Sequence, residues 1–93
     1  MTTHLFVTLT VTDPEKMAAY REVAGPALAK YGGAPVQVSS TSEWLDGNGP
    51  APDVAVVLGF PDRGAAKAWR DDPELADVHQ LRNDAGNCRI LML

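Results

Sequence analysis

The side chains best suited to proton-transfer chemistry lie close together in the last third of the chain. His79 has an ordinary pKa near 6.5, which suits a general acid or base at neutral pH. Arg82 and Asn83 follow about one helical turn later, where they would hold a substrate carboxylate or an enolate oxygen. The alternatives are a half-exposed helix histidine and an arginine that pairs with Asp72, Asp84 or a partner subunit. If His79 is the acid–base group, we expect His79→Ala to remove activity and leave the melting temperature nearly unchanged.

Aromatic side chains and one carboxylate supply the other candidates. Tyr20 would orient a substrate oxygen, or pack with its hydroxyl bonded. Trp44 and Trp69 offer large apolar faces that would line a pocket for a flat aromatic ligand, although a tryptophan is more often part of the core. Asp72 precedes Pro73, where a carboxylate also caps a helix. The residues predicted to be catalytic are His79, Arg82 and Tyr20, and those predicted to bind substrate are Asn83, Trp44, Trp69, Phe6 and Asp72.

Composition narrows the classes of partner. The 93 residues include 12 acidic and 8 basic side chains, for a net charge of -4, and no cluster of Lys and Arg. Nucleic acid and anionic membrane surfaces both need such a cluster, so neither is expected as a partner. No run of apolar residues approaches the length of a membrane span, and the N-terminus lacks a signal-peptide pattern. The prediction is a cytoplasmic protein formed by a single domain, residues 1–93.

Motifs for cofactors and metals are not found in the sequence. Cys88 is the one cysteine, so it forms no internal disulfide, and with only two histidines beside it a zinc site is not expected. There is no GxGxxG, P-loop or GxSxG motif. We therefore expect no cofactor and no metal.

The first half of the chain has the pattern of a strand, a helix and a strand. Residues 5–11 alternate and are rich in β-branched types, with both faces partly apolar, which indicates a strand covered on both sides. Asp13 and Pro14 begin a helix that ends at Gly32, with a kink or break predicted at Pro26. Residues 36–44 form the predicted second strand, and residues 45–53 a loop rich in Gly and Pro.

The second half repeats this order. Residues 54–60 are the most strand-like run in the chain and predict a central strand. A helix follows in two pieces, residues 63–70 and 73–83, because a second capping signal occurs at Asp72. Residues 87–93 are the last predicted strand. The order βαββαβ predicts an α+β ferredoxin-like fold, a four-stranded antiparallel sheet with helices on one face.

A set of short strings in order resembles the bacterial family known as domain of unknown function 1330. The resemblance runs through nearly the whole chain, and it implies a ferredoxin-like fold of the dimeric α/β-barrel type, in which two sheets pack face to face and each subunit keeps a cleft between sheet and helices. It therefore implies a homodimer. The strings are VTDPE at 11–15, Tyr20, KYGG at 30–33, GFPD at 59–62, AAKAW at 65–69, DPE at 72–74 and LR at 81–82.

Three functions remain open at this point. The first is a small cofactor-independent enzyme that acts on an organic small molecule by acid–base chemistry: isomerisation, cyclisation or addition–elimination, as in secondary metabolism. The second is a non-catalytic dimeric protein that binds a small molecule or serves in stress. The third, suggested by the wider superfamily that the resemblance brings with it, is a cofactor-free monooxygenase of aromatic substrates. An enzyme requires a cleft in which His79 and Arg82 point into the same volume.

Overall fold

The first strand is one of the two inner strands of a single sheet, and its apolar residues alternate between the two faces. The side chains of Leu5, Val7 and Leu9 are buried beneath the helices, while Phe6 points to the opposite face and remains 38% exposed. The computed structural model describes residues 2–93. The elements are β1 (Thr3–Val11), α1 (Pro14–Ala29), β2 (Ala34–Ser39), β3 (Val54–Phe60), α2 (Arg63–Asp71), a 3₁₀ turn (Pro73–Leu75), α3 (Ala76–Ala85) and β4 (Gly86–Met92).

The sheet has the strand order β2-β3-β1-β4, and all of its pairings are antiparallel. Val7 of β1 lies opposite Val56 of β3 and Ile90 of β4, so these three side chains share the face that the helices cover. The predicted ferredoxin-like α+β fold is confirmed, including the central position of β3. The helices occupy one face, and on the other face Trp44, Pro50 and Pro52 of the loop after β2 lie beside β1.

Aspartates begin the helical segments, as the sequence predicted. The side chain of Asp13 accepts a hydrogen bond from the Lys16 backbone N–H at 3.1 Å. Asp62 accepts one from the Ala65 N–H at 2.7 Å, which starts α2. Each of these bonds satisfies a backbone donor that has no partner within the helix. The starts of α1 and α2 therefore follow from local chemistry, whereas α3 begins after Leu75 without a side-chain cap.

Two local predictions were wrong. The second strand ends at Ser39, five residues earlier than predicted, because the Ser39 hydroxyl accepts a hydrogen bond from the Thr41 N–H at 3.2 Å and turns the chain out of the sheet.

The predicted break at Pro26 does not form. Helix α1 continues to Ala29, and the Pro26 carbonyl still accepts a bond from the Lys30 N–H. Pro26 lacks only the N–H that would bond the Glu22 carbonyl, so the helix loses one bond there and continues.

The core lies between the sheet and the helices and is closed by two large rings. Trp69 of α2 and Phe60 of β3 are each 1% exposed, with ring centroids 5.5 Å apart. Gly33 packs directly on the Phe60 ring, so that a side chain there would collide with it. Among the helices described, none has both the length and the apolar character that crossing a bilayer requires.

Candidate functional site

Four of the predicted site residues meet on the helix side of the sheet. His79 and Arg82 are three residues apart on α3, so both face inward, and they are only 3% and 2% exposed. Arg82 Cζ lies 5.8 Å from the centroid of the Tyr20 ring on α1 and 5.5 Å from that of the Trp69 ring on α2. We call these four residues the Arg82 cluster. Three helices position it.

Both ring nitrogens of His79 are engaged. Arg82 Nη1 lies 2.7 Å from His79 Nδ1, and because a guanidinium only donates, Nδ1 must accept. His79 Nε2 therefore carries the proton and donates to the Trp69 carbonyl oxygen at 2.9 Å. The imidazole is held neutral, and burial, followed by the nearby charge of Arg82, lowers its pKa despite the Trp69 carbonyl.

These bonds correct the expectation about His79 as a freely available acid–base group. Its nitrogens are both occupied in this arrangement, and one of them orients the Arg82 side chain. Replacing His79 by Ala would leave the Trp69 carbonyl and an Arg82 N–H without partners in the interior. That substitution is therefore expected to destabilise the protein rather than leave its melting temperature unchanged.

Arg82 is a buried cation without a carboxylate partner. The ion pairs among residues 2–93 involve Lys16 and Lys30, and none involves Arg82. The Arg82 Nε atom is buried and has no hydrogen-bond acceptor, and neither has the indole Nε1 of Trp69. The two aromatic rings offset part of the cost of burying the charge, but a buried charge normally requires an anion. The cluster therefore has spare hydrogen-bond donors and spare positive charge.

Asp72 belongs to a different cluster, at the joint between α2 and α3. Its Oδ2 atom accepts from Lys30 Nζ and from the Tyr31 hydroxyl, both at 2.6 Å, and Lys30 also reaches Glu74 at 2.8 Å. These four residues form the Lys30 cluster. The bonds from Lys30, Tyr31 and the Glu74 backbone lower the pKa of Asp72 from 3.8 to about 2, and the bond to Asp72 raises the pKa of Tyr31. Asp72 thus has a structural role, which includes capping the 3₁₀ turn.

Asn83 is exposed on the outer side of α3. It borders a polar groove of about 360 Å³, whose lining includes Asp72, Asp71 and the edge of His79. The groove brings Asn83 and Asp72 near His79, but Arg82 is not part of its lining. The expected convergence of Asn83 with Arg82 on one substrate is therefore not found in this arrangement.

Trp44 and Phe6 lie across the sheet from the Arg82 cluster. They line a groove of about 370 Å³ on the open face of the sheet, together with Thr8, Thr10 and Arg89. Phe6 alternates with Leu5 and Val7 and so must face away from the helices. The sheet therefore separates Trp44 and Phe6 from His79, so these two predicted binding residues do not share a cavity with it.

A third cavity lies between α2 and the sheet. It measures about 220 Å³, and Trp69 of the Arg82 cluster lines it along with Lys67 and Arg70. Sequence reasoning missed Lys67 and Arg70, although their spacing was a usable signal. They are three residues apart, as are Ala66 and Trp69, so one pair faces outward at the cavity while the other faces inward.

A metal site has no obvious place in these cavities. Among residues 2–93, no group of three or more His, Cys, Asp or Glu side chains is arranged to hold a metal ion. The polar groups that line the cavities are guanidinium, ammonium, imidazole, carboxylate, amide and hydroxyl groups, and aromatic rings lie beside them.

Solved structures with this fold include proteins of known and unknown function. RPA0582 from Rhodopseudomonas palustris, of unknown function, is 20% identical, with 99% of this chain and 80% of that one aligned and a TM-score of 0.82. A dimeric ferredoxin-like protein of unknown function from Jannaschia sp. is 10% identical over 100% and 98% of the two chains, with a TM-score of 0.76. SnoaB, a cofactor-independent oxygenase from Streptomyces nogalater, is 11% identical over 99% and 90%, with a TM-score of 0.72.

These likenesses establish the ferredoxin-like fold. They establish no function, because proteins of one fold carry out many functions. Among curated proteins, none matches this sequence. The family model for the domain of unknown function (DUF1330) matches residues 2–93, so the chain belongs to this family.

Proposed function

We propose that the protein is a small cofactor-independent enzyme in which Arg82 stabilises negative charge on an oxygen atom of an organic substrate. The observation that carries this proposal is the buried guanidinium of Arg82, which has no carboxylate partner and an unbonded Nε among the residues described. A fixed cation in a dry site stabilises a developing enolate or phenolate more strongly than it would in water.

The hydrogen bond between Arg82 and His79 suggests how a base would become available. A substrate oxygen that takes the Nη1 donor of Arg82 would release His79 Nδ1, which now accepts from it at 2.7 Å. The freed Nδ1 lone pair would lie beside the bound substrate and accept its proton. Isomerisation, cyclisation and addition–elimination on a carbonyl compound all begin with such a proton transfer.

Substrate access requires a side chain to move, because Arg82 is only 2% exposed. Trp69 is the residue common to the Arg82 cluster and to the cavity between α2 and the sheet. Tyr20, which is half-buried, forms the other aromatic neighbour of the guanidinium. We assign Trp69 the role of the movable wall and Tyr20 that of a contact to the substrate.

The test is a screen of carbonyl and phenolic compounds for turnover, followed by Arg82→Gln. This variant should lower kcat/KM by about 100-fold, the usual effect of losing an oxyanion-stabilising donor. Arg21→Gln on the exposed surface of α1 is the matched control and should keep full activity. Retained activity in a folded Arg82→Gln variant, checked by its NMR spectrum, would overturn the proposal.

A cofactor-free oxygenase of aromatic substrates is the second candidate. It is favoured by the shared fold with SnoaB, which is a cofactor-independent oxygenase, and by the tryptophan wall beside Arg82. Both candidates need an anionic oxygen at Arg82. Oxygen consumption that matches product formation would establish the oxygenase, whereas turnover without oxygen would establish the acid–base enzyme. Binding without any turnover would leave a non-catalytic binding protein.

We infer in addition that two copies pair through the open face of the sheet. This face exposes Phe6 at 38%, Val36 at 61% and Leu91 at 60%, and such apolar side chains on one surface favour burial against a partner. One neighbour of the same fold is described as dimeric. Leu91→Lys should convert a dimer to a monomer in sedimentation velocity, while Val23→Lys on α1 should not. A wild-type protein that is monomeric at high concentration would contradict this pairing.

A further inference from the structure

The cavity between α2 and the sheet has an apolar interior. Its floor is formed by Leu5 of β1 and by Ile90 and Met92 of β4, and its wall by Ala66 and Trp69 of α2. At about 220 Å³ it is smaller than the pockets of roughly 300–1,000 Å³ that hold drug-sized ligands. It therefore suits a molecule with one ring or a short carbon chain.

The mouth of this cavity is positively charged. Lys67 and Arg70 line it one helical turn apart, and its lining contains no carboxylate. None of the ion pairs among residues 2–93 uses either side chain. Two unpaired cations at one opening are unusual in a chain with 12 acidic and 8 basic residues. An apolar cavity with a cationic mouth is complementary to an amphipathic anion.

We propose that the substrate is a small organic carboxylate, whose apolar body fills this cavity and whose carboxylate pairs with Lys67 and Arg70. This inference rests on the proposed function, because it is Trp69, the inner wall of the cavity, that lies against Arg82. The cations at the mouth then select the charge of the substrate, and the cavity volume selects its size. Arg82 is left to stabilise the charge that develops during reaction.

The two tryptophans allow a direct test by NMR. Trp69 lines the cavity between α2 and the sheet, and Trp44 lines the groove on the other face. Titration with cinnamate should shift the indole N–H signal of Trp69 and leave that of Trp44 in place. Trp44→Phe assigns the two signals. The neutral isostere cinnamamide should bind about tenfold more weakly, since two exposed ion pairs together contribute about that factor.

Charge reversal at the mouth tests the assigned residues. The double variant Lys67→Glu, Arg70→Glu should remove the preference for cinnamate over cinnamamide, while the control Arg21→Glu on α1 should keep it. Three results would overturn the inference: a shift of Trp44 alone, equal affinity for acid and amide, or a preference for the acid that survives the double variant. Absence of any Trp69 shift by carboxylates of this size would overturn it as well.

The inference and the proposed function fail in different ways. If the double variant loses carboxylate binding but no turnover is found and Arg82→Gln changes nothing, the cavity is a binding site and the enzyme proposal is wrong. If turnover depends on Arg82 but kcat/KM for acids survives the double variant, the enzyme proposal stands and the substrate class is wrong.

Discussion

The Arg82 cluster and the Lys30 cluster place the same kinds of charged group in opposite circumstances. Lys30 is 40% exposed at its side chain and meets two carboxylates, Asp72 and Glu74. Arg82 is 2% exposed and meets an imidazole and two aromatic rings. A cation at the surface needs no carboxylate partner, yet Lys30 has two, whereas the buried Arg82 has none among residues 2–93. This is the reverse of what stability alone would select.

The contrast supports a role of the Lys30 cluster in the fold, and it is the basis of our proposal that the Arg82 cluster binds a ligand. Bonds of the Lys30 cluster connect the end of α1 to the turn between α2 and α3, so they hold the helices in place. The Arg82 cluster leaves buried donors without acceptors, an arrangement that costs stability and favours the binding of an anion. Removing the charge of Asp72 should therefore cost stability, whereas removing the charge of Arg82 once its partner His79 is gone should restore some of it.

The largest effect is expected from His79→Leu. Removing the imidazole leaves the Trp69 carbonyl and Arg82 Nη1 buried without partners, which should cost about 2–4 kcal/mol of unfolding free energy. Urea denaturation measures this loss. Gln80→Leu is the control on the same helix, since Gln80 is exposed and bonds only Asp84, and it should change stability by about 0.5 kcal/mol or less. Equal effects of the two variants would show that the buried bonds do not form.

Removing the buried charge together with its partner should recover part of that loss. In the double variant His79→Leu, Arg82→Met the interior keeps its volume and loses an unpaired cation, so the variant should be more stable than His79→Leu by about 1–3 kcal/mol, while the Trp69 carbonyl still lacks its donor. The same urea experiment checks it, and turnover should be absent. A double variant that is less stable than His79→Leu alone would mean that Arg82 stabilises the empty fold, and the contrast between the clusters would disappear.

The sequence predicted that His79 and Arg82 lie together, but not that they are buried and bonded to each other. A spacing of three residues on a helix puts His79 and Arg82 on one face, and that was sufficient to expect them together. Their burial and mutual bond depend on Trp69 and Tyr20, which come from other helices. Residues on separate elements meet through packing, which a single sequence does not reveal.

The fold was easier to predict from the sequence than the site, because strands and helices follow from local residue patterns. Alternation in β1 and the β-branched, apolar run of β3 predicted both strands. The same alternation places Phe6 on the face opposite Leu5, so its separation from His79 and Arg82 could have been expected from the sequence. Trp44 differs, because it lies in the loop after β2, where no period fixes the direction of a side chain. The early end of β2 followed from one hydroxyl bond at Ser39.

The two clusters should also lose stability in different pH ranges. A group whose pKa is lowered on folding gives up stability as the pH falls below its unfolded value. For His79 this loss begins near pH 6.5, and for Asp72 it runs from about pH 3.8 down to about 2. Melting curves of wild type and Asp72→Asn should therefore differ most near neutral pH and converge toward pH 2. His79→Leu should instead flatten the slope that begins near pH 6.5. Parallel curves for wild type and Asp72→Asn across the acidic range would contradict the lowered pKa of Asp72.

The smallest effect is expected at the rim of the Lys30 cluster. Glu74 binds Lys30 at 2.8 Å, but its side chain is 80% exposed, so water and salt screen the pair. Glu74→Gln keeps the shape and removes the charge, and it should lower the melting temperature by about 2 °C or less. Asp72→Asn should cost several times more, because Asp72 is 8% exposed at its side chain and also bonds Tyr31 and the Glu74 N–H. Calorimetry in low salt and again in about 1 M NaCl, where exposed pairs are fully screened, separates the two contributions. A loss for Glu74→Gln as large as that for Asp72→Asn would place the stability of this joint in charge alone, since the one property that these two carboxylates share is their attraction for Lys30.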